Sequence, residues 1–246
     1  MRRVLCLLML LATPALAAER PAELHPLPGP ATLGRLLTGK DAPRGPLVIL
    51  LPDALGDDGR AEPYAEALEA RGIASLTLGL SMDWDAPDAP AVDPAASAAA
   101  ADAAAAWAMT EGFDPARIGV LGFGAGGRAA LEAGGAMPVV ALYPGCPGLR
   151  VAPGTRALIL HGADAPGAAE CAALAGTPNV AVQALPGVGH AWDAPGALWP
   201  AGHLLRDPAG GPLIRARLDL ATTCAVAEAV ADHLEAALGA VRAVAR

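Results

Sequence analysis

Leu47-Val48-Ile49-Leu50-Leu51 is an unbroken apolar run of strand length. A strand exposed on one face alternates apolar with polar residues, so a continuous run predicts a strand covered on both faces. Ala61 to Arg71 has helical character and stops at Gly72, and Ile73 to Leu78 reads as the next strand. Asp83 to Asp93, interrupted by Pro87 and Pro90, predicts a surface loop. Pro94 then opens an alanine-rich helix to about Glu111, at a position where its missing N–H costs nothing. Ile118 to Leu121 is a third strand, followed at once by Gly122-Phe123-Gly124-Ala125-Gly126-Gly127 and a helix. Val139 to Tyr143, Ala157 to His161 and Val180 to Leu185 predict further strands, with a helix near 168–175 and a long last helix from about Thr222 to Val244. Alternation of this kind predicts an α/β fold, a mostly parallel sheet with helices on both faces. Ligands of such sheets bind beyond the carboxyl ends of the strands.

The chain ahead of this pattern divides in two. Residues 1–17 combine the basic start Met1-Arg2-Arg3, an apolar run from Val4 to Ala12, and the small-residue pattern Ala15-Leu16-Ala17. That is the layout of a cleaved signal peptide, and the run is too short for a membrane span. Cleavage predicts a periplasmic or secreted protein with no stable membrane span. Residues 18–45, with Pro21, Pro26, Pro28, Pro30 and Pro43, read as an extended Pro-rich lead-in, and 46–246 as the α/β domain. His25 and His203 read as loop residues, and His233 as a solvated helix position.

Composition narrows the classes. The chain is 54% hydrophobic but only 3% aromatic, because 61 of its 246 residues are alanine, which excludes a multi-spanning membrane protein. A formal charge of −8 argues against nucleic acid as a partner. After cleavage three cysteines remain, Cys146, Cys171 and Cys224. In an oxidising compartment an odd number predicts one bridge, and Cys146–Cys171 is preferred because both flank strand-to-helix connections on the same edge of the sheet. Cys224, in a helical stretch, is expected to be packed. No Cys/His grouping has zinc-ligand spacing, so no metal site is expected.

Three features fall in a telling order. Gly122-Phe123-Gly124-Ala125-Gly126 has the G-x-Nu-x-G form of a nucleophile elbow, a strand ends at Leu160-His161-Gly162-Ala163-Asp164, and another leads to Gly187-Val188-Gly189-His190-Ala191-Trp192-Asp193. With Asp114 to Phe123 and Tyr143 to Cys146, these stretches make the chain resemble the dienelactone hydrolases, a family of α/β hydrolases, over most of 45–240. The resemblance implies hydrolysis of esters or lactones through a Cys or Ser nucleophile, without a cofactor. It also implies that Asp164 and His190 are the acid and base. Ala125 and Ala54 would supply oxyanion-hole amides, and Asp53 would replace an acidic residue near the nucleophile.

The family's nucleophile position is Gly124, which has no side chain to acylate. Of three serines, Ser75, Ser81 and Ser97, none lies near the elbow, and Cys146 is expected to be bridged. Losing the nucleophile of a comparable triad removes about 10⁶ of the rate and leaves roughly 10³ to 10⁴ over water. The expectation is therefore a catalytically impaired hydrolase-fold protein, or a binder of a small ester, lactone or related ligand. One alternative is a working hydrolase in which His190 activates water; another is a periplasmic interaction protein. Trp192 reads either as a pocket wall or as packing, and Arg128 either as a ligand for a substrate carboxylate or as an ion-pair partner.

Overall fold

A computed structural model of the chain describes residues 23–27, 31–37, 45–54, 56–80, 94–195 and 203–239. The predicted signal peptide and the predicted loop at 83–93 lie outside them. Eight strands form one sheet: β1 (Glu23–Pro26), β2 (Ala31–Leu37), β3 (Leu47–Leu51), β4 (Ala74–Leu80), β5 (Ile118–Phe123), β6 (Val139–Leu142), β7 (Ala157–Gly162) and β8 (Val180–Leu185). Their order is β1-β2-β4-β3-β5-β6-β7-β8. From β4 to β8 all neighbours are parallel, while β1–β2 and β2–β4 are antiparallel.

The unbroken run at 47–51 behaves as its pattern requires. All five residues of β3 are buried. Leu47, Ile49 and Leu51 join a core layer with Ala100, Ala104 and Leu131. Val48 and Leu50 point the other way, into a layer with Tyr64, Leu68, Val230 and Leu234. The first layer is roofed by α2 (Pro94–Thr110), α3 (Ala125–Ala133) and α4 (Ala168–Ala173), the second by α1 (Glu62–Glu69) and α5 (Leu220–Leu238). Alanine suits α2: small side chains let it lie close against α3 and the sheet, and Ala100, Ala104 and Ala108 are fully buried there.

The segment read as a lead-in differs from that reading. Within 18–45, β1 and β2 are extended, but they pair with each other and with β4 as an antiparallel edge. Extended backbone makes no hydrogen bonds within itself, so its N–H and C=O groups are paired by joining a ladder, and the edge of β4 was available. His25 therefore lies on a strand, with its ring against Trp107, and His203 opens β9 (His203–Leu205), which pairs with β10 (Ile214–Ala216). His233 is half-buried on α5. That helix begins two residues earlier than expected, capped by Asp219, whose carboxylate accepts the Thr222 N–H at 3.0 Å. It is closed by Gly239 at φ 61°, so the expected run to Val244 stops at Leu238 among the described residues.

Candidate active site

The parallel register of β3 and β5 sets Leu51 beside Gly122. Two residues farther along each strand, Asp53 and Gly124 emerge side by side at the carboxyl end of the sheet. Gly124 has φ 48° and ψ −115° and joins β5 to α3 in a sharp turn. Its N–H is fixed to the Leu142 carbonyl at 3.0 Å. The turn needs its flanking glycines: a Cβ on Gly122 would stand 2.4 Å from the Cα of Gly127. The elbow geometry is present, and its central side chain is not.

The vacated space is filled from the neighbouring loop. A Cβ on Gly124 would meet Oδ1 of Asp53 at 2.2 Å, its Cγ at 2.5 Å and Oδ2 at 2.7 Å. The Asp53 carboxylate thus occupies the place of a nucleophilic side chain. Its Oδ1 accepts two backbone N–H bonds, from Ala54 at 2.8 Å and Ala125 at 2.9 Å. These are the two amides expected to form an oxyanion hole, and they do converge on a single oxygen. Oδ2 accepts from Arg60 Nη1 at 3.1 Å. Asp53 and Arg60 are 2% and 3% exposed, so the pair is desolvated. Arg60 is held from its other edge by Asp58, whose two oxygens accept from Nε and Nη2. Burial works to lower the Arg60 pKa, but Tyr143, Asp58 and Asp53 outweigh it and the guanidinium stays charged.

From Arg60 a buried polar chain runs inward. Arg60 Nη1 donates to the Tyr143 hydroxyl at 3.4 Å, and that hydroxyl donates to Asp193 Oδ1 at 2.5 Å. Tyr64 donates to Asp193 Oδ2 at 2.7 Å and receives the Trp192 indole N–H at 3.3 Å. Burial lifts the Asp193 pKa to about 6 against the lowering pull of Arg60 and the two hydroxyls. Both tyrosines are pushed well above their ordinary value, first by burial and then by the charge of Asp193. Two non-glycine residues here, Tyr143 (φ 41°) and Ala191 (φ 50°), hold left-handed backbone. Strain of that sort persists only where the surroundings over-determine it.

His190 lies at the edge of this network, 4% exposed, with its ring 5.1 Å from that of Tyr143. Its Nε2 is buried and has no hydrogen-bond partner among the described residues. Burial lowers its pKa and Arg60 lowers it further, while the carboxylates of Asp53 and Asp207 raise it; the net direction is downward, which favours the neutral ring. The loop carrying it is fastened to α5: the Trp192 carbonyl accepts the Asp219 N–H at 2.8 Å and the Thr223 hydroxyl at 3.1 Å.

No protein-family model matches the chain, and no curated protein matches it. Solved structures do. Carboxyl esterase 2 of the fungus Tuber melanosporum superposes with a TM-score of 0.64 at 14% identity, covering 91% of this chain and 89% of that one. Esterase 2 of Thermogutta terrifontis, in a structure phosphonylated by cyclosarin, gives 0.62 at 15% identity, covering 90% and 96%. A dienelactone hydrolase-like promiscuous phosphotriesterase, P91 from metagenomic libraries, gives 0.57 at 20% identity, covering 83% and 92%. The fold is that of the α/β hydrolases. At these identities the likeness speaks for the α/β-hydrolase fold alone.

Within that fold the expected residues separate into two groups. Gly124, Ala54, Ala125, Asp53 and His190 come together. Asp164 does not join them: it is exposed, and no hydrogen bond or ion pair among the described residues links it to His190. The carboxylates whose charge reaches the imidazole are Asp53 and Asp207. Trp192 is fully buried and packs edge-on to Tyr143 with ring centroids 4.9 Å apart, so it is packing rather than a pocket wall. Arg128 donates to the carbonyls of Gly145 and Pro147 and pairs with Glu132 at 3.0 Å, the ion-pair reading of the two. Cys146 and Cys171 are bridged, with Cα atoms 5.0 Å apart, which removes Cys146 as a nucleophile. No group of three metal-ligating side chains occurs among the described residues, and no helix there is long and apolar enough to cross a membrane. Sequence reasoning missed Arg60, Tyr64, Tyr143 and Asp193. The Gly-Asp-Asp-Gly-Arg stretch after Asp53 and the terminal Asp of Gly-His-Ala-Trp-Asp were the available signals.

Proposed function

We propose that this chain is a hydrolase-fold protein of the ester and lactone class that has lost acyl-enzyme chemistry at its elbow and keeps the site for a small molecule. The observation that carries this reading is the Asp53 carboxylate, seated where the nucleophile would stand and holding both oxyanion amides. Acyl transfer through a hydroxyl or thiol needs that atom at the elbow and an empty hole; Gly124 supplies no such atom, and the Asp53 carboxylate fills the hole. The same seat weighs against a water activated by His190, since the oxyanion formed by that attack would need the two amides that Asp53 holds. We also propose that the protein works outside the cytoplasm. The leader at residues 1–17 and the bridge between Cys146 and Cys171 support that location.

The test uses the purified mature chain, short-chain nitrophenyl esters and a fluorophosphonate label. The expected result is no burst, no stoichiometric label, and a slow ester background unchanged by His190→Ala. Stoichiometric labelling, or turnover that vanishes in His190→Ala, overturns the reading.

A further inference from the structure

The elbow is furnished for an anion, and the chain supplies one. Oδ1 of Asp53 takes the amides of Ala54 and Ala125, and Oδ2 takes the Arg60 guanidinium. A hole of this design ordinarily meets charge that develops on a substrate oxygen during reaction. Here it holds a full carboxylate at rest. One neighbouring group is left unanswered. His190 Nε2 is buried without a partner among the described residues, although Asp53 and Arg60 both act on the ring. Buried polar atoms in native interiors are nearly always satisfied. Asp53 does not reach this one.

We propose that the elbow is a receptor for a small monocarboxylate, for which Asp53 is the internal stand-in. The external carboxylate enters by displacing Asp53 from the two amides, and its second oxygen or an adjoining polar atom answers His190 Nε2. Exchange, rather than addition, follows from the occupied donors. A second anion beside Asp53 would find both amides taken and only Arg60 to offset it, and Asp58 already grips that guanidinium through both oxygens. After exchange, the incoming carboxylate meets the same two amides and the same guanidinium that Asp53 left. The ligand class is thus a planar carboxylate carried on a small body, the kind of anion that ester or lactone hydrolysis releases. This inference rests on the preceding reading only in taking the elbow to carry no acylated side chain.

An intramolecular occupant competes at a high effective concentration, so the wild type binds external carboxylate weakly. The experiment titrates acetate and propionate into wild type, Asp53→Ala and Asp53→Asn by calorimetry, with chloride at matched ionic strength as control. Asp53→Ala empties the hole and is expected to bind acetate at least about tenfold more tightly than wild type, with no matching gain for chloride. Asp53→Asn keeps an amide oxygen on the two N–H groups and is expected to stay as weak as wild type. Adding His190→Ala to Asp53→Ala should weaken acetate binding. Equal affinity of wild type and Asp53→Ala, an equal gain for chloride, or an equal gain in Asp53→Asn overturns the proposal. Should Asp53→Ala fail to fold in buffer, circular dichroism reads the same question: refolding by acetate but not by chloride supports it, and equal refolding by both overturns it. Fluorophosphonate labelling of the wild type would sink the loss of acyl chemistry while leaving these titrations to be decided on their own values.

Discussion

Gly124→Ala adds one methyl group and tests whether the Asp53 carboxylate stands at the elbow. The new Cβ would lie 2.2 Å from Asp53 Oδ1, closer than any real contact, so the carboxylate must leave the two amides and Arg60. Two effects add. Holding a residue with a side chain at φ 48° costs about 1–3 kcal/mol. Breaking one side of a buried, hydrogen-bonded charge pair costs about 3–5 kcal/mol. Together they come to roughly 4–8 kcal/mol, which is much of the about 5–15 kcal/mol that holds a typical domain folded. In an Asp53→Ala background there is no carboxylate to evict, and the same methyl should cost only the backbone strain, about 1–3 kcal/mol. The difference, about 3–5 kcal/mol, is the coupling between the two positions. Urea unfolding of wild type, both single variants and the double variant measures it. Effects that add within about 0.5 kcal/mol would show that the two residues do not meet, and the account of the elbow would fall with them.

Two further outcomes follow from the remaining structure. Reducing the Cys146–Cys171 bridge, which closes a loop of 25 residues, should remove about 3 kcal/mol and lower Tm by roughly 6–12 °C; melts with and without reductant check this, and coincident melts refute it. Asp193, with its pKa raised to about 6, favours the protonated form in the fold, so its contribution is full below about pH 4 and is lost as pH rises through 6, by up to roughly 3 kcal/mol. His190 acts in the opposite sense: its lowered pKa makes a contribution that is present above about pH 6.5 and lost as pH falls through its folded value. Stability against pH, measured by denaturant unfolding, should lose the first slope in Asp193→Asn and the second in His190→Gln, and slopes unchanged by these substitutions would refute the assignments.

The parallel strands were legible because burial on both faces leaves a mark that local sequence cannot hide, the five-residue run at 47–51 being the clearest. The bridge was legible because the order of strands placed its two cysteines on one edge. Of the two amides on Asp53, Ala125 was reached from its place after the elbow and Ala54 only through the resemblance of the loop after β3 to the family's. What filled the hole was not legible. A glycine at the elbow shows that a side chain is missing, while the identity of its replacement depends on β3 and β5 being in register, seventy residues apart in the chain. The antiparallel edge was hidden by prolines that look like linker, because pairing depends on what β4 leaves open rather than on 23–37 alone. Asp164 follows the family pattern in sequence order, yet order along the chain says nothing about which way a turn residue faces, and this one faces water.

The Trp192 carbonyl accepts two donors from the first turn of the last helix, so that helix and the imidazole share a single anchorage. Fraying the first turn of the terminal helix would therefore untether the histidine loop. A chain clipped there, far from the histidine in sequence and adjacent to it in space, would lose the alignment of His190 and uncover the layer in which Val230 and Leu234 pack on β3.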